Sequence, residues 1–185
     1  MTGLEREEAE WIVKYLDLHE QRIKELKGKM HKEAKNDEDM KNLQTIPGVG
    51  PVVAYAFAAH VGDGSRFSTG AQVSNFIGFV PRLDYSGTIQ HNGPITKHGN
   101  GYLRGLLVQA AWSAVRSKTG GALQERYKQK TAGQGTSKKK TIVSIGRRLA
   151  EIMYSVLKNK SKYEPRQWKG VKDKTTMMVE QAMSA

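Results

Sequence analysis

The feature that most constrains the fold is the segment Ile46-Pro47-Gly48-Val49-Gly50-Pro51. An apolar-periodic stretch that begins at Met40 leads into it, and a second apolar stretch follows it. Two glycines around one valine allow the backbone to turn tightly, and proline is well tolerated at the first position of a helix. The segment therefore predicts a helix-hairpin-helix, whose second helix runs from about Pro51 through Ala59 and ends near Gly62.

Gly48 and Gly50 are also candidate nucleic-acid-binding residues. A glycine turn at the start of a helix leaves backbone N–H groups exposed, and these groups bind phosphate without reading sequence. The alternative is a glycine turn between two core helices that touches no ligand.

A long helix is predicted over residues 4–35, which contain no proline and a single glycine. Its apolar residues recur at alternating steps of four and three, as in a coiled coil. These seam positions are Ile12, Leu16, Ile23, Leu26 and Met30, with His19 at one position between them. The helix either pairs with another helix, which favours a homo-oligomer, or folds back on its own domain.

The rest of the chain predicts further helices and one irregular region. Residues 36–39 break the first helix, and Asp37, Glu38 and Asp39 are interpreted as a solvated turn. Ser68 or Thr69 caps a short helix, residues 78–101 form a loop or a short β-hairpin, and residues 102–117 form a buried helix. A short helix over 123–130, an exposed basic loop over 133–140 and an amphipathic helix from Ile142 follow. We expect an all-α fold with a long helix (1–40), a helical domain (41–163) and a basic tail (164–185).

The charge of the chain is strongly segregated. Residues 1–44 hold 9 of the 30 Lys and Arg and 11 of the 18 Asp and Glu, so 21 cations and 7 anions remain for residues 45–185. Such a field favours a polyanionic partner, of which nucleic acid is the commonest, over an unspecialised basic surface. The chain has no cysteine and no apolar run near the roughly 20 residues that cross a bilayer. We expect a soluble, intracellular protein with no membrane partner.

A glycine-rich segment at 79–104 carries the candidate catalytic residue, Ser86. Cations and a base surround it in the sequence, as a hydroxyl that attacks a phosphodiester requires. They are Arg82, His91, Lys97, His98 and Arg104. The alternative is that Ser86 is an ordinary turn residue. His60 and His98 lack partners at ligand spacing, so we predict no metal site in this chain.

Several motifs in fixed order resemble one known family. They are Ile-Pro-Gly-Val-Gly-Pro at 46–51, Phe-Ile-Gly-Phe-Val-Pro at 76–81, Ser-Gly at 86–87 and Gly-Pro-Ile-Thr-Lys-His-Gly-Asn-Gly-Tyr-Leu-Arg at 93–104. The order is similar to the C-terminal domain of the DEDD-type, Piv-like insertion-sequence transposases, recombinases that use a structured bridge RNA. The resemblance covers about residues 43–160, and residues 4–35 look like the inter-domain helix of that family.

The resemblance implies that Ser86 attacks DNA and forms a phosphoserine link. It implies DNA and a structured guide RNA as partners, and a separate RuvC-like domain that binds magnesium. It also implies a place in the bacterial cytoplasm, associated with the nucleoid. Tyr85 and Thr88 depart from the family's Ser-Ser-Gly-Gly pattern, Ile89 stands where a lysine is common, and His91 where arginine is frequent. Lys97, Asn100 and Arg104 match the block that follows, and with Arg82, His91 and the lysines Lys138, Lys139 and Lys140 they are the remaining candidate nucleic-acid-binding residues.

Nothing in the sequence resembles a RuvC-like domain. We therefore expect a fragment or a truncated gene product that binds DNA and does not cut it alone. Two other functions stay open: a non-catalytic helix-hairpin-helix module and a basic RNA-binding scaffold.

Overall fold

A computed structural model describes residues 3–86, 89–132 and 137–165, and of residues 83–86 and 89–92 it describes the backbone. The fold in these ranges is all-α, as predicted, with one small hairpin. Its elements are α1 (Gly3–Ala34), α2 (Glu38–Gln44), α3 (Pro51–Val61), α4 (Gly70–Ile77), β1 (Pro81–Ser86), β2 (Ile89–Ile95), α5 (Gly101–Arg116), α6 (Gly121–Ala132) and α7 (Lys138–Asn159).

Helix α1 stands apart from the core along most of its length. It contacts α2 and α3, and the residue it buries is Ala34 at its C-terminal end. The seam residues Ile12, Leu16 and Ile23 are 50%, 59% and 50% exposed. The interpretation in which this helix folds back on its own domain is therefore wrong for these residues.

Helix α2 begins earlier than the sequence suggested. The Asp37 carboxylate accepts hydrogen bonds from the backbone N–H groups of Asp39 and Met40, at 2.8 and 3.2 Å, and caps the helix. Glu38 and Asp39 lie in its first turn, where carboxylates interact favourably with the helix dipole. The solvated turn predicted for these three residues is thus a capped helix start.

Helices α5 and α7 form the centre of the core. Helix α5 buries Leu103, Leu107, Ala111 and Ala114, while α7 packs against α2, α4, α5 and α6. Small residues on α5 allow close helix packing, whereas α7 supplies larger side chains such as Leu149 and Met153. In the described ranges, none of the helices is long and apolar enough to cross a lipid bilayer.

Most local predictions of boundaries are confirmed. Thr69 caps α4 through a hydrogen bond from Gln72 N, and Gly62 follows the last residue of α3. The basic loop was placed wrongly, since Lys138, Lys139 and Lys140 form the first turn of α7 and are exposed there. Residues 133–136 lie outside the described residues, as does most of the predicted tail.

The glycine turn between α2 and α3 packs directly against α5. Gly48 has a φ of +81°, a region that favours glycine, and a Cβ there would lie 2.6 Å from the backbone nitrogen of Ala114 and still closer to the carbonyl oxygen of Ala110. Gly50 has a φ of −93° and leaves open space where a Cβ would lie. The two glycines therefore differ in role, because Gly48 is needed for packing.

The two glycines provide a matched pair of variants. Gly48→Ala should lower the free energy of unfolding by about 2–4 kcal/mol, because it combines an unfavourable φ with backbone overlap against α5. Gly50→Ala should change it by less than about 1 kcal/mol. Urea unfolding followed by circular dichroism measures both, and equal losses would contradict the close packing at Gly48.

Candidate nucleic-acid interface

Ser86 is the last residue of strand β1 in an antiparallel hairpin. The pairing places Ser86 opposite Ile89, Asp84 opposite His91 and Pro81 opposite Ile95, with an irregularity between Pro81 and Leu83. Five residue steps of about 3.4 Å separate Ser86 from the base of the strand, or roughly 17 Å. The hairpin alternative of the sequence analysis is confirmed, and Gly87 and Thr88 lie outside the described residues.

The base of the hairpin is anchored on α7. Phe79 is 2% exposed, and its ring lies 3.2 Å from the position that a Cβ on Gly146 would occupy. The absence of a side chain at Gly146 thus makes room for the ring. The N–H of Thr96 donates to the carbonyl of Val80 at 2.8 Å, which joins the two chains below the strands.

Two glycines bring the segments flanking the hairpin into backbone contact. Gly78 ends α4 with a φ of +84°, and Gly99 precedes α5 with a φ of +122°. A Cβ on Gly78 would overlap the carbonyl oxygen of His98, and one on Gly99 would overlap that of Phe76. Only glycine fits at either position, so the entry and exit of the hairpin are held against each other.

Arg104 fixes this contact from α5. Its guanidinium donates to the carbonyl oxygens of Ile77 at 2.9 Å and Lys97 at 3.3 Å. Asn100 caps α5 by accepting from the N–H of Leu103 at 2.9 Å. Both residues were predicted to bind nucleic acid, and the structure assigns each a role in holding the loop; phosphate contact by them stays a prediction.

Exposed cations lie next to this anchored base. Arg82 and Lys97 are exposed, as is His98. Lys97 has a φ of +56°, which is uncommon for a residue with a side chain and marks a strained position. The arrangement presents positive charge where the hairpin leaves the helical body.

Sequence reasoning missed Arg147 as a neighbour of the hairpin. It lines a hollow with Val80 and Pro81, together with α4 residues. Arg147 lies in the amphipathic helix predicted from Ile142, but only the tertiary packing reveals which residues it meets.

The other predicted residues do not join this site. Gly48 packs at Ala110 and Ala114 of α5, and Ala114 is ten residues, or about 15 Å, along the helix from Arg104. Lys140 precedes Gly146 by six residues, about 9 Å along α7. The sequence candidates are therefore spread along α5 and α7 and do not form one pocket.

No group of three or more His, Asp or Glu side chains with metal-binding proximity occurs in the part of the chain that the structure describes. His60, considered as a ligand from sequence, instead has its Nδ1 2.7 Å from the carbonyl oxygen of Ala56, within hydrogen-bond distance.

The sequence of this chain is similar to a known protein family. Residues 40–128 match the model of the transposase IS116/IS110/IS902 family. The chain carries a transposase domain of this family. The matched range runs from α2 into α6 and contains the glycine turn, the hairpin and the anchored base.

Individual relatives of the transposase domain agree with this assignment. A probable family 20 transposase of Pseudomonas aeruginosa is 32% identical over 156 residues, which cover 79% of this chain and 43% of the relative. The transposase of insertion sequence element IS1111A from Coxiella burnetii is 32% identical over 70% of this chain and 36% of its own length. A pilin gene-inverting protein of Moraxella bovis is 28% identical over 67% of this chain and 38% of its own length. The chain spans less than half the length of these relatives.

The arginine anchor can be tested separately from any ligand. Arg104→Lys keeps the charge but loses the planar fork that reaches two carbonyls, so the free energy of unfolding should fall by about 1–3 kcal/mol. Arg116→Lys, at the exposed end of the same helix, should change it by less than about 0.5 kcal/mol. Chemical unfolding of both variants measures these changes. An Arg104→Lys protein as stable as the wild type would contradict a structural role for the two hydrogen bonds of Arg104.

Proposed function

We propose that this transposase domain binds DNA through its hairpin face, which consists of strands β1 and β2 with Arg82, Lys97 and Arg147 at their base. We also propose that Ser86 is the nucleophile of strand cutting and rejoining. The observation that carries the proposal is the position of Ser86 as the last residue of β1, at the opposite end of the strand from an anchored base. A hydroxyl that must meet a phosphorus atom inside a duplex has to stand clear of the protein body. A two-stranded extension of about 17 Å provides that reach.

The charge of the domain supports DNA as the partner. Arg82 and Lys97 are exposed beside the hairpin, and Arg147 lines the hollow at its base. Cations in these positions bind the non-bridging oxygens of phosphates and hold the backbone in register without reading bases. They also stabilise the charge that develops on the phosphate during attack.

The proposed chemistry is transesterification. The Ser86 oxygen forms a bond to the scissile phosphorus, the bond from phosphorus to the leaving strand breaks, and the serine proton passes to a base while the leaving oxygen is protonated. The reverse attack by a strand hydroxyl releases the serine and rejoins DNA. His91, whose backbone lies opposite that of Asp84 in the hairpin, is the proposed base within this chain.

Magnesium belongs to a separate RuvC-like domain in this proposal. The described residues gather no ligand set that would hold the ion, so none of the steps above runs through it. When bound by that other domain, a divalent ion would supply charge stabilisation at the phosphate.

Two partners complete the proposed function. A structured guide RNA follows from the resemblance to bridge-RNA recombinases. A second copy of the chain is the proposed partner of α1, because the exposed seam repeats with coiled-coil spacing and would be covered by the same seam of a neighbour.

The nucleophile is tested by trapping a covalent adduct. In a recombinase that combines this chain with a RuvC-like domain, Ser86→Ala should abolish the protein–DNA adduct seen on denaturing gels, whereas Thr88→Ala, a hydroxyl loss two residues away, should retain it. An adduct of normal yield with Ser86→Ala would leave the domain as a binding module in which the glycine turn contacts phosphate.

The partner of α1 is tested by changing its seam. Leu16→Glu with Ile23→Glu should convert an oligomer into a monomer of 20.6 kDa, because carboxylates cannot be buried in an apolar seam. Lys14→Glu with Gln21→Glu alters the outward face and should leave the oligomer intact. Sedimentation equilibrium measures the mass, and a monomeric wild type would contradict the proposed pairing.

A further inference from the structure

A polar groove lies between α6 and α7, separate from the hollow at the base of the hairpin. Its volume is about 610 Å³, and the segment 161–164 forms its third side. Arg126 of α6 and Arg148 of α7 both line it, and Ser155 and Asn159 continue the α7 wall. None of the residues that line it was a candidate in the sequence analysis.

Cations outnumber carboxylates where α6 meets α7. Lys130, one turn after Arg126, donates to the hydroxyl of Ser144 on α7 at 3.3 Å. Glu151 is the carboxylate at this position, and Arg148 and Arg147 already share it, at 2.9 and 3.3 Å. Four cationic side chains thus lie along this part of α6 and α7, and two of them share the Glu151 carboxylate. Lys162 and Glu164, which also line the groove, have opposite charges.

The environment disfavours these positive charges. Burial lowers the pKa of Arg126, and the nearby charge of Arg148 lowers it further, while Glu151 acts in the opposite direction. Burial also lowers the pKa of Lys130, with Arg126 as the second cause. Like charges held together at a partly desolvated surface are stabilised by a bound anion.

The groove is continuous with the hairpin face through Glu151. Arg147 lines the hollow beside Pro81, Arg148 lines the groove, and the same carboxylate binds both guanidinium groups. Positive charge therefore extends from the hairpin base across α7 to α6. A single extended polyanion bound at the hairpin would meet the groove next.

We infer that the α6–α7 groove binds the phosphate backbone of duplex DNA that flanks the strand held at the hairpin. The inference rests on the proposed function, because the continuity of the two surfaces selects DNA as the occupant. Arg126 and Arg148 in the groove, and Lys130 one turn further along α6, contact phosphates and contribute affinity that does not depend on base sequence.

The test measures binding of the full chain to a 30-base-pair duplex at several salt concentrations. Arg126→Gln with Lys130→Gln should weaken binding about tenfold near 0.1 M salt and reduce the slope of log affinity against log salt by about 2. Lys118→Gln with Lys128→Gln removes two exposed charges from the neighbouring turn and from α6, and should weaken binding less than about threefold.

A second groove variant controls for the possibility that Arg126→Gln with Lys130→Gln weakens binding by destabilising the fold. Ser155→Glu adds a carboxylate to the exposed wall of the groove, and it should weaken binding about as much while leaving the unfolding midpoint unchanged. If Arg82→Gln weakens binding but both groove variants bind like the control, the groove inference fails and the proposed function stands.

Two further outcomes concern DNA binding by the whole domain and the choice of DNA over RNA as the occupant of the groove. A wild-type chain that does not bind the duplex would overturn the proposed DNA binding and the groove with it. Groove variants that lose affinity for a structured RNA hairpin but keep affinity for the duplex would overturn the assignment to DNA.

Discussion

The backbone contact between the segments around Gly78 and Gly99 determines how the hairpin is mounted on the helices. Backbone atoms approach there to a distance that any Cβ would prevent, and each glycine also has the positive φ that its turn requires. Arg104 then bonds to a carbonyl on each side of the contact. Both strands of the hairpin are thus held at its base by main-chain contacts, so the helical body fixes where the two strands leave it.

Helix α7 connects this hairpin to the remainder of the molecule. Gly146 provides the flat surface that receives Phe79, and the next two residues are the arginines that share Glu151. The same helix packs against α2, α4, α5 and α6. Its inner face therefore builds the core, while one turn of its outer face carries positive charge from the hairpin base to the groove.

Local signals predicted much of the fold. The glycine turn, the caps at Thr69 and Gly62 and the buried periodicity of α5 each depend on neighbouring residues, which sequence displays directly. Lys138 was assigned to a loop because Gly133 and Gly135 precede it and favour irregular structure, whereas α7 already begins at Lys138. The hydrogen bonds of Arg104 span up to 27 residues, and Arg147 packs beside Val80 and Pro81, which are distant in the sequence. Contacts between distant segments cannot be predicted from periodicity or local spacing. The residue types in the sequence thus identified candidate site residues such as Asn100 and Arg104, but they did not predict that these residues hold the loop.

Lys97 adopts a left-handed backbone conformation although it is not glycine. Such a conformation is unfavourable by about 1 kcal/mol or more for a residue with a side chain, and asparagine or glycine would adopt it with less strain. Its carbonyl is fixed by Arg104, so the ammonium group leaves the backbone in a direction that the loop imposes. The domain gives up some folding stability to keep a directed positive charge beside the start of α5, an arrangement that a merely connecting turn would not require.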